Sequence, residues 1–121
     1  MSNSNSLASF KKDPSRKIVM LTAYDHPTAV LLARAGVDII LVGDSLANVM
    51  LGLDSTTQVG MDEMLHHVKA VCRGAGGVPV VADVPADVVF SPDPAGAAQK
   101  FIDAGCSGVK VEWANGSLDV V

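Results

Sequence analysis

At 121 residues the chain has room for one domain at most and a modest core. Hydrophobic residues make up 49% and charged residues 18%, which excludes a disordered chain. A formal charge of −4 leaves no basic footprint for nucleic acid or an acidic membrane, and the few aromatic residues are too scattered to stack single strands.

The first seventeen residues are Ser/Asn-rich and end in the basic patch Lys11, Lys12, Arg16 and Lys17. They read as a polar N-terminal arm with room for a short helix. They hold no apolar signal core, and no apolar run in the chain approaches the ~18 residues that a membrane span needs. A cytoplasmic location is expected, with mitochondrial targeting left open. Cys72 and Cys106 form no C-x-x-C, and no histidine spacing completes a zinc site. Both read as buried free thiols.

The partial barrel domain is expected over 18–121. Ile18–Ala23 reads as the first strand. Tyr24-Asp25-His26-Pro27 opens a helix, which Gly36 stops with a left-handed cap. Val37–Val42 is a continuous apolar run, as in a strand of a parallel sheet buried on both faces, and it breaks off at Gly43-Asp44-Ser45. The stretch Ala47–Gly60 reads as a long connection, a length that is often functional. Met61, Met64, Leu65, Val68, Val71 and Cys72 form one stripe of a helix over about 61–73, with Asp62 and Glu63 in its first turn. Val78–Ala82 is the third strand, followed by an irregular apolar connection over Val84–Phe90. Asp93 and Pro94 start a helix as N-cap and first residue, and it runs to Ala104. Ser107–Glu112 is the fourth strand, and 113–121 a polar loop with a short apolar end.

This βα-βα-βα-β order suits parallel crossovers. It fits about half of a (β/α)₈ TIM-type barrel, for which a complete chain needs ~250 residues, and equally a small open α/β sheet. Ligands of parallel sheets bind beyond the carboxyl ends of the strands. Three strands each deliver an acid there: Asp44, Asp83 and Glu112. Each alone could cap the following segment. Together they repel one another unless a cation lies between them, and hard carboxylate oxygens suit Mg²⁺. Such an ion can polarise a carbonyl oxygen. Lys110 lies two residues before Glu112 and so shares its face. It pairs with one of the acids or holds a substrate carboxylate. His66 and His67 diverge by about 100° on their helix, cannot share a metal, and read as a solvated flank.

Several stretches closely resemble the ketopantoate (3-methyl-2-oxobutanoate) hydroxymethyltransferase family: Thr22-Ala23-Tyr24-Asp25, Val42-Gly43-Asp44-Ser45-Leu46, Leu51-Gly52-Leu53-Asp54-Ser55-Thr56, His67-Val68-Lys69-Ala70-Val71, Ala82-Asp83-Val84-Pro85 and Val109-Lys110-Val111-Glu112. The resemblance runs from about Lys17 to Glu112. It implies a (β/α)₈ barrel that transfers a hydroxymethyl group from 5,10-methylenetetrahydrofolate to 3-methyl-2-oxobutanoate, giving 2-dehydropantoate for pantothenate biosynthesis. It also implies Mg²⁺ on Asp44, Asp83 and Glu112, ketoacid on Asp44, Ser45, Asp83 and Lys110, and a homo-oligomer. The family's general-base Glu falls on a later strand, beyond Val121, so no catalytic residue is assigned. The alternative expectation is a non-catalytic half-barrel that pairs with another chain or a complementary half. The sequence departs from the family pattern at Ala86-Asp87-Val88-Val89 and at Trp113-Ala114-Asn115-Gly116, both beside the site.

Overall fold

The computed structural model describes residues 4–10 and 14–112; the expected loop and apolar end over 113–121 lie outside them. The described residues form a four-stranded, all-parallel sheet in the order β1-β2-β3-β4. The strands are β1 Met20–Thr22, β2 Ile39–Val42, β3 Val80–Asp83 and β4 Gly108–Lys110. A short helix α1, Ser4–Ser9, lies in the N-terminal arm. Sequential parallel strands require a helical return between each pair. These returns are α2 (His26–Ala35), α4 (Met61–Gly74) and α6 (Pro94–Asp103).

The helix ends follow the capping chemistry of the sequence. The Asp25 side chain accepts from the Thr28 amide at 2.8 Å and Asp93 from the Gly96 amide at 3.1 Å. Each satisfies a first-turn N–H that would otherwise be orphaned. Hydrogen bonds from the Thr28 hydroxyl and then from its amide hold the Asp25 carboxyl below its ordinary range. Gly36 closes α2 at φ 86°, as expected of a left-handed cap. The Gly60 amide donates to Glu63 at the start of α4.

Alternation along the strands separates two layers. Ile40 and Val42 of β2 and Val80 and Ala82 of β3 are buried beneath the helices, in register with each other. They meet Met64, Val68 and Val71, which lie on the expected stripe of α4, and Phe101 of α6. Met61, Leu65 and Cys72 flank that core, half-buried. Full burial of each such side chain contributes about 1.5–3 kcal/mol. Helices α2 and α4 cross closely at Gly74, where a Cβ would meet the His26 carbonyl oxygen at 2.6 Å.

Two connections are more ordered than expected. The stretch after β2 holds α3, Leu46–Val49, and a 3₁₀ turn at Thr56–Gln58. Leu46 and Ala47 are fully buried, which anchors what the sequence presents as a loop. Ser55 caps the turn through the Thr57 amide, while Gln58 accepts from the Asp54 and Ser55 amides. The segment after β3 is not irregular but carries the one-turn helix α5, Ala86–Val89, which follows Pro85 and buries Val88 and Val89. Tertiary burial of that apolar pair supports a turn too short to be stable alone.

Among the described residues, β1 and β4 are the edges of the sheet. Ile18, Val19, Met20 and Leu21 are 43–48% exposed. Asp38 ties this edge down by accepting from the Val19 amide at 2.9 Å and by pairing with Arg16. No helix among the described residues is long and apolar enough to cross a membrane.

Candidate metal and oxoacid site

The carboxyl ends of β2, β3 and β4 converge, and with them Asp44, Asp83 and Glu112. One carboxylate oxygen from each lies within 4.8 Å of the others. Together they could hold Mg²⁺, whose remaining ligands would be water and substrate oxygens. The three acids present only hard oxygen donors, which fit Mg²⁺ rather than a thiophilic metal.

Asp83 is the fixed member. It is 4% exposed. Its Oδ2 accepts from the Asp44 amide at 2.9 Å and its Oδ1 from the Lys110 ammonium at 3.1 Å. A buried carboxylate is tolerable when both oxygens are paired in this way. Each oxygen keeps a second lone pair for another partner. The register Asp83↔Lys110 places ammonium and carboxylate side by side on adjacent strands. Lys110 also pairs with Glu112. Burial works against its charge, but the hydrogen bonds to Glu112 and Asp83 overcome it and hold its pKa above the ordinary lysine value. The sequence left Lys110 between pairing with an acid and holding a substrate. In this structure it pairs with two acids, and its half-exposed ammonium keeps its third donor for an incoming anion.

Asp44 carries the electrostatic tension. Burial, then the charges of Asp83 and Glu112, push its carboxyl from 3.8 up to about 6, against a smaller opposing effect of Lys110. Three acids against one ammonium leave a surplus of negative charge that a dication would neutralise. Asp44 does not cap the next segment: α3 begins after Ser45 and has no side-chain cap. Ser45 is held instead by the Tyr24 hydroxyl at 2.8 Å. Gly43 lets these groups close in, since a Cβ there would meet Ser45 Oγ at 3.3 Å and Asp83 Oδ2 at 3.4 Å.

A cavity of about 350 Å³ opens beside the acids, a usual size for a small-molecule site. It is lined by the acids Asp44 and Glu112, by Thr56 and Thr57, and by the apolar residues Val84, Ala86, Val89 and Phe90. All five residues expected at the site, Asp44, Ser45, Asp83, Lys110 and Glu112, are thus brought to one end of the sheet. Sequence reasoning missed Tyr24, whose signal was its place in Thr22-Ala23-Tyr24-Asp25, and it missed the α5 wall. It also misread His67. That residue is half-buried, with Nδ1 2.7 Å from the Tyr24 carbonyl oxygen, and so supports the Tyr24 backbone instead of lying on a solvated flank. His66 is exposed, as expected.

The parallel sheet with its returning helices is the N-terminal half of a (β/α) barrel, with acids gathered at the carboxyl ends of the strands. The chain belongs to the ketopantoate hydroxymethyltransferase family, whose model matches residues 3–121. It is 58% identical over 87 residues to 3-methyl-2-oxobutanoate hydroxymethyltransferase of Acetivibrio thermocellus, covering 70% of this chain and 31% of the relative. It is 46% identical over 114 residues to the protein of that name from Syntrophomonas wolfei, covering 92% and 41%. The chain therefore spans well under half the length of these two relatives. Among solved structures, phosphoenolpyruvate phosphomutase from Streptomyces platensis matches with a TM-score of 0.74 at 24% identity, over 89% of this chain and 37% of that one. A 2,3-dimethylmalate lyase of the PEP mutase/isocitrate lyase superfamily matches with 0.72 at 20% identity, over 92% and 39%. These likenesses establish the fold.

Proposed function

We propose that this chain supplies the metal- and ketoacid-binding half of a hydroxymethyltransferase that moves a one-carbon unit from 5,10-methylenetetrahydrofolate to 3-methyl-2-oxobutanoate. The observation that carries it is the convergence of Asp44, Asp83 and Glu112, with Lys110 paired to two of them, beside a cavity that Asp44 and Glu112 help line. Asp44, Asp83 and Glu112 would hold Mg²⁺, which supplies Lewis-acid polarisation of the keto oxygen. Lys110 pairs with the substrate carboxylate. Ser45, oriented by Tyr24, donates a hydrogen bond to the same head group. Among the described residues, the cavity lining holds no acid beyond Asp44 and Glu112 and no imidazole. The family resemblance implies that the base that takes the substrate proton is a Glu on a later strand of the barrel. Calorimetry tests the site: binding of 3-methyl-2-oxobutanoate should require Mg²⁺ and should vanish in the Asp44→Ala, Asp83→Ala double variant. Equal binding by that variant refutes the assignment.

A second reading concerns partners. The exposed apolar run Ile18–Leu21, which leads into edge strand β1, favours pairing with further β/α units, from a complementary half or a second copy. Light scattering decides it: a monodisperse monomer that keeps this edge unpaired at high concentration counts against the reading.

A further inference from the structure

We infer that helix α5 and the residue after it form the selectivity wall for the substrate's alkyl group, with Ala86, Val89 and Phe90 setting the size of the aliphatic 2-oxoacid that fits. The inference rests on the proposed function and extends it to substrate choice. The cavity lining combines two acids, Asp44 and Glu112, with four apolar residues, Val84, Ala86, Val89 and Phe90. An oxoacid whose keto and carboxylate oxygens lie with the acids and Lys110 must turn its remaining carbon chain away from those charges. The α5 side is the apolar surface that receives it.

The wall is built to hold its shape. The Val88 and Val89 amides donate to the Pro85 carbonyl oxygen at 3.0 and 3.2 Å, and the Phe90 amide to Ala86 at 3.3 Å. Val88 packs into the core and fixes the turn, so the residues on either side of it are presented from a rigid support. Val84, at the foot of the wall, is tied to β4 through its amide and the Lys110 carbonyl oxygen at 2.9 Å. The same strand therefore aligns the charged end and the apolar end of the site. Ala86 is small and half-buried, so its missing carbons are space in the cavity. Phe90 is 59% exposed although it lines the cavity, so its ring has an open face for a ligand to cover. Apolar pockets discriminate by about ten-fold or more per methylene. A chain too short leaves the wall wet, and one too long meets α5.

The test measures affinities of the full chain, with saturating Mg²⁺, for pyruvate, 2-oxobutanoate, 3-methyl-2-oxobutanoate and 4-methyl-2-oxopentanoate. Ala86→Val, which narrows the cavity, should lower the preference for 3-methyl-2-oxobutanoate over pyruvate by about ten-fold. Val89→Ala, which widens it, should raise 4-methyl-2-oxopentanoate relative to 3-methyl-2-oxobutanoate by a similar factor. Phe90→Ala should flatten the preference for branched acids. Val89 is buried. If its variant fails to fold, the half-exposed Ala86 and exposed Phe90 positions decide the matter. Unchanged affinity ratios in the folded variants overturn the wall while leaving the metal and oxoacid site standing. No Mg²⁺-dependent binding of any oxoacid by the parent chain overturns both.

Discussion

Replacing Asp44 by Asn should stabilise the metal-free chain at neutral pH while weakening its response to Mg²⁺. The Asp44 carboxyl is raised from 3.8 to about 6, first by burial and then by Asp83 and Glu112. A group raised on folding contributes stability that is fully present below its unfolded pKa and lost as pH rises through its folded one. For Asp44 that window runs from 3.8 to about 6. Above it, the folded chain carries a like-charge cost that the unfolded chain escapes. A shift of roughly two units corresponds to about 3 kcal/mol at most. Asp44 is only half-buried, so solvent screening reduces this to the order of 1 kcal/mol. For a domain of this size that is a Tm increase of roughly 3–5 °C. Thermal unfolding without metal should show the gain at about pH 8 and none at about pH 4. Adding Mg²⁺ should reverse the order, since saturation at about 100 Kd stabilises the parent by about 2.7 kcal/mol. The variant, short of one negative charge at the site, should gain much less. An equal Tm difference at both pH values, or equal stabilisation by Mg²⁺, would refute the reasoning.

Three further outcomes are expected. Gly74→Ala should destabilise the chain by about 1–3 kcal/mol in urea titrations, because the new Cβ meets the His26 carbonyl oxygen and cannot be relieved by a side-chain rotation. Lys110→Met should weaken oxoacid binding more than ten-fold in calorimetry while retaining Mg²⁺ binding, since it removes the anion's partner and none of the three acids. Cys72 should be alkylated by iodoacetamide well before Cys106. The Cys106 thiol hydrogen-bonds to Cys72 and lowers its pKa, whereas that same bond and then burial push the Cys106 thiol up. Mass spectrometry of the modified peptides reads the order, and equal rates would contradict it.

The four strands and three returning helices were legible from local signals: apolar runs, the α4 stripe and the caps at Asp25, Gly36 and Asp93. So were the acids, since a carboxylate closing each of three strand-like runs stands at the strand ends of any parallel sheet, although β4 proves a half-exposed edge and not a buried strand. Strand limits were less legible. Ile18 and Val19 belong to an apolar run, yet β1 starts at Met20, because ladder pairing depends on a neighbouring strand's register and not on hydrophobicity. The rest needed the folded chain. One-turn helices α3 and α5 have no periodicity to read, since they exist by burying Leu46, Ala47, Val88 and Val89 in a core assembled elsewhere. The contacts of Tyr24 with Ser45, and of His67 with Tyr24, join residues 21 and 43 positions apart. The lift of the Asp44 carboxyl depends on how far Asp83 and Glu112 stand from it and how much water reaches it. Distance and dielectric are properties of the folded chain, and no spacing in the sequence encodes either one.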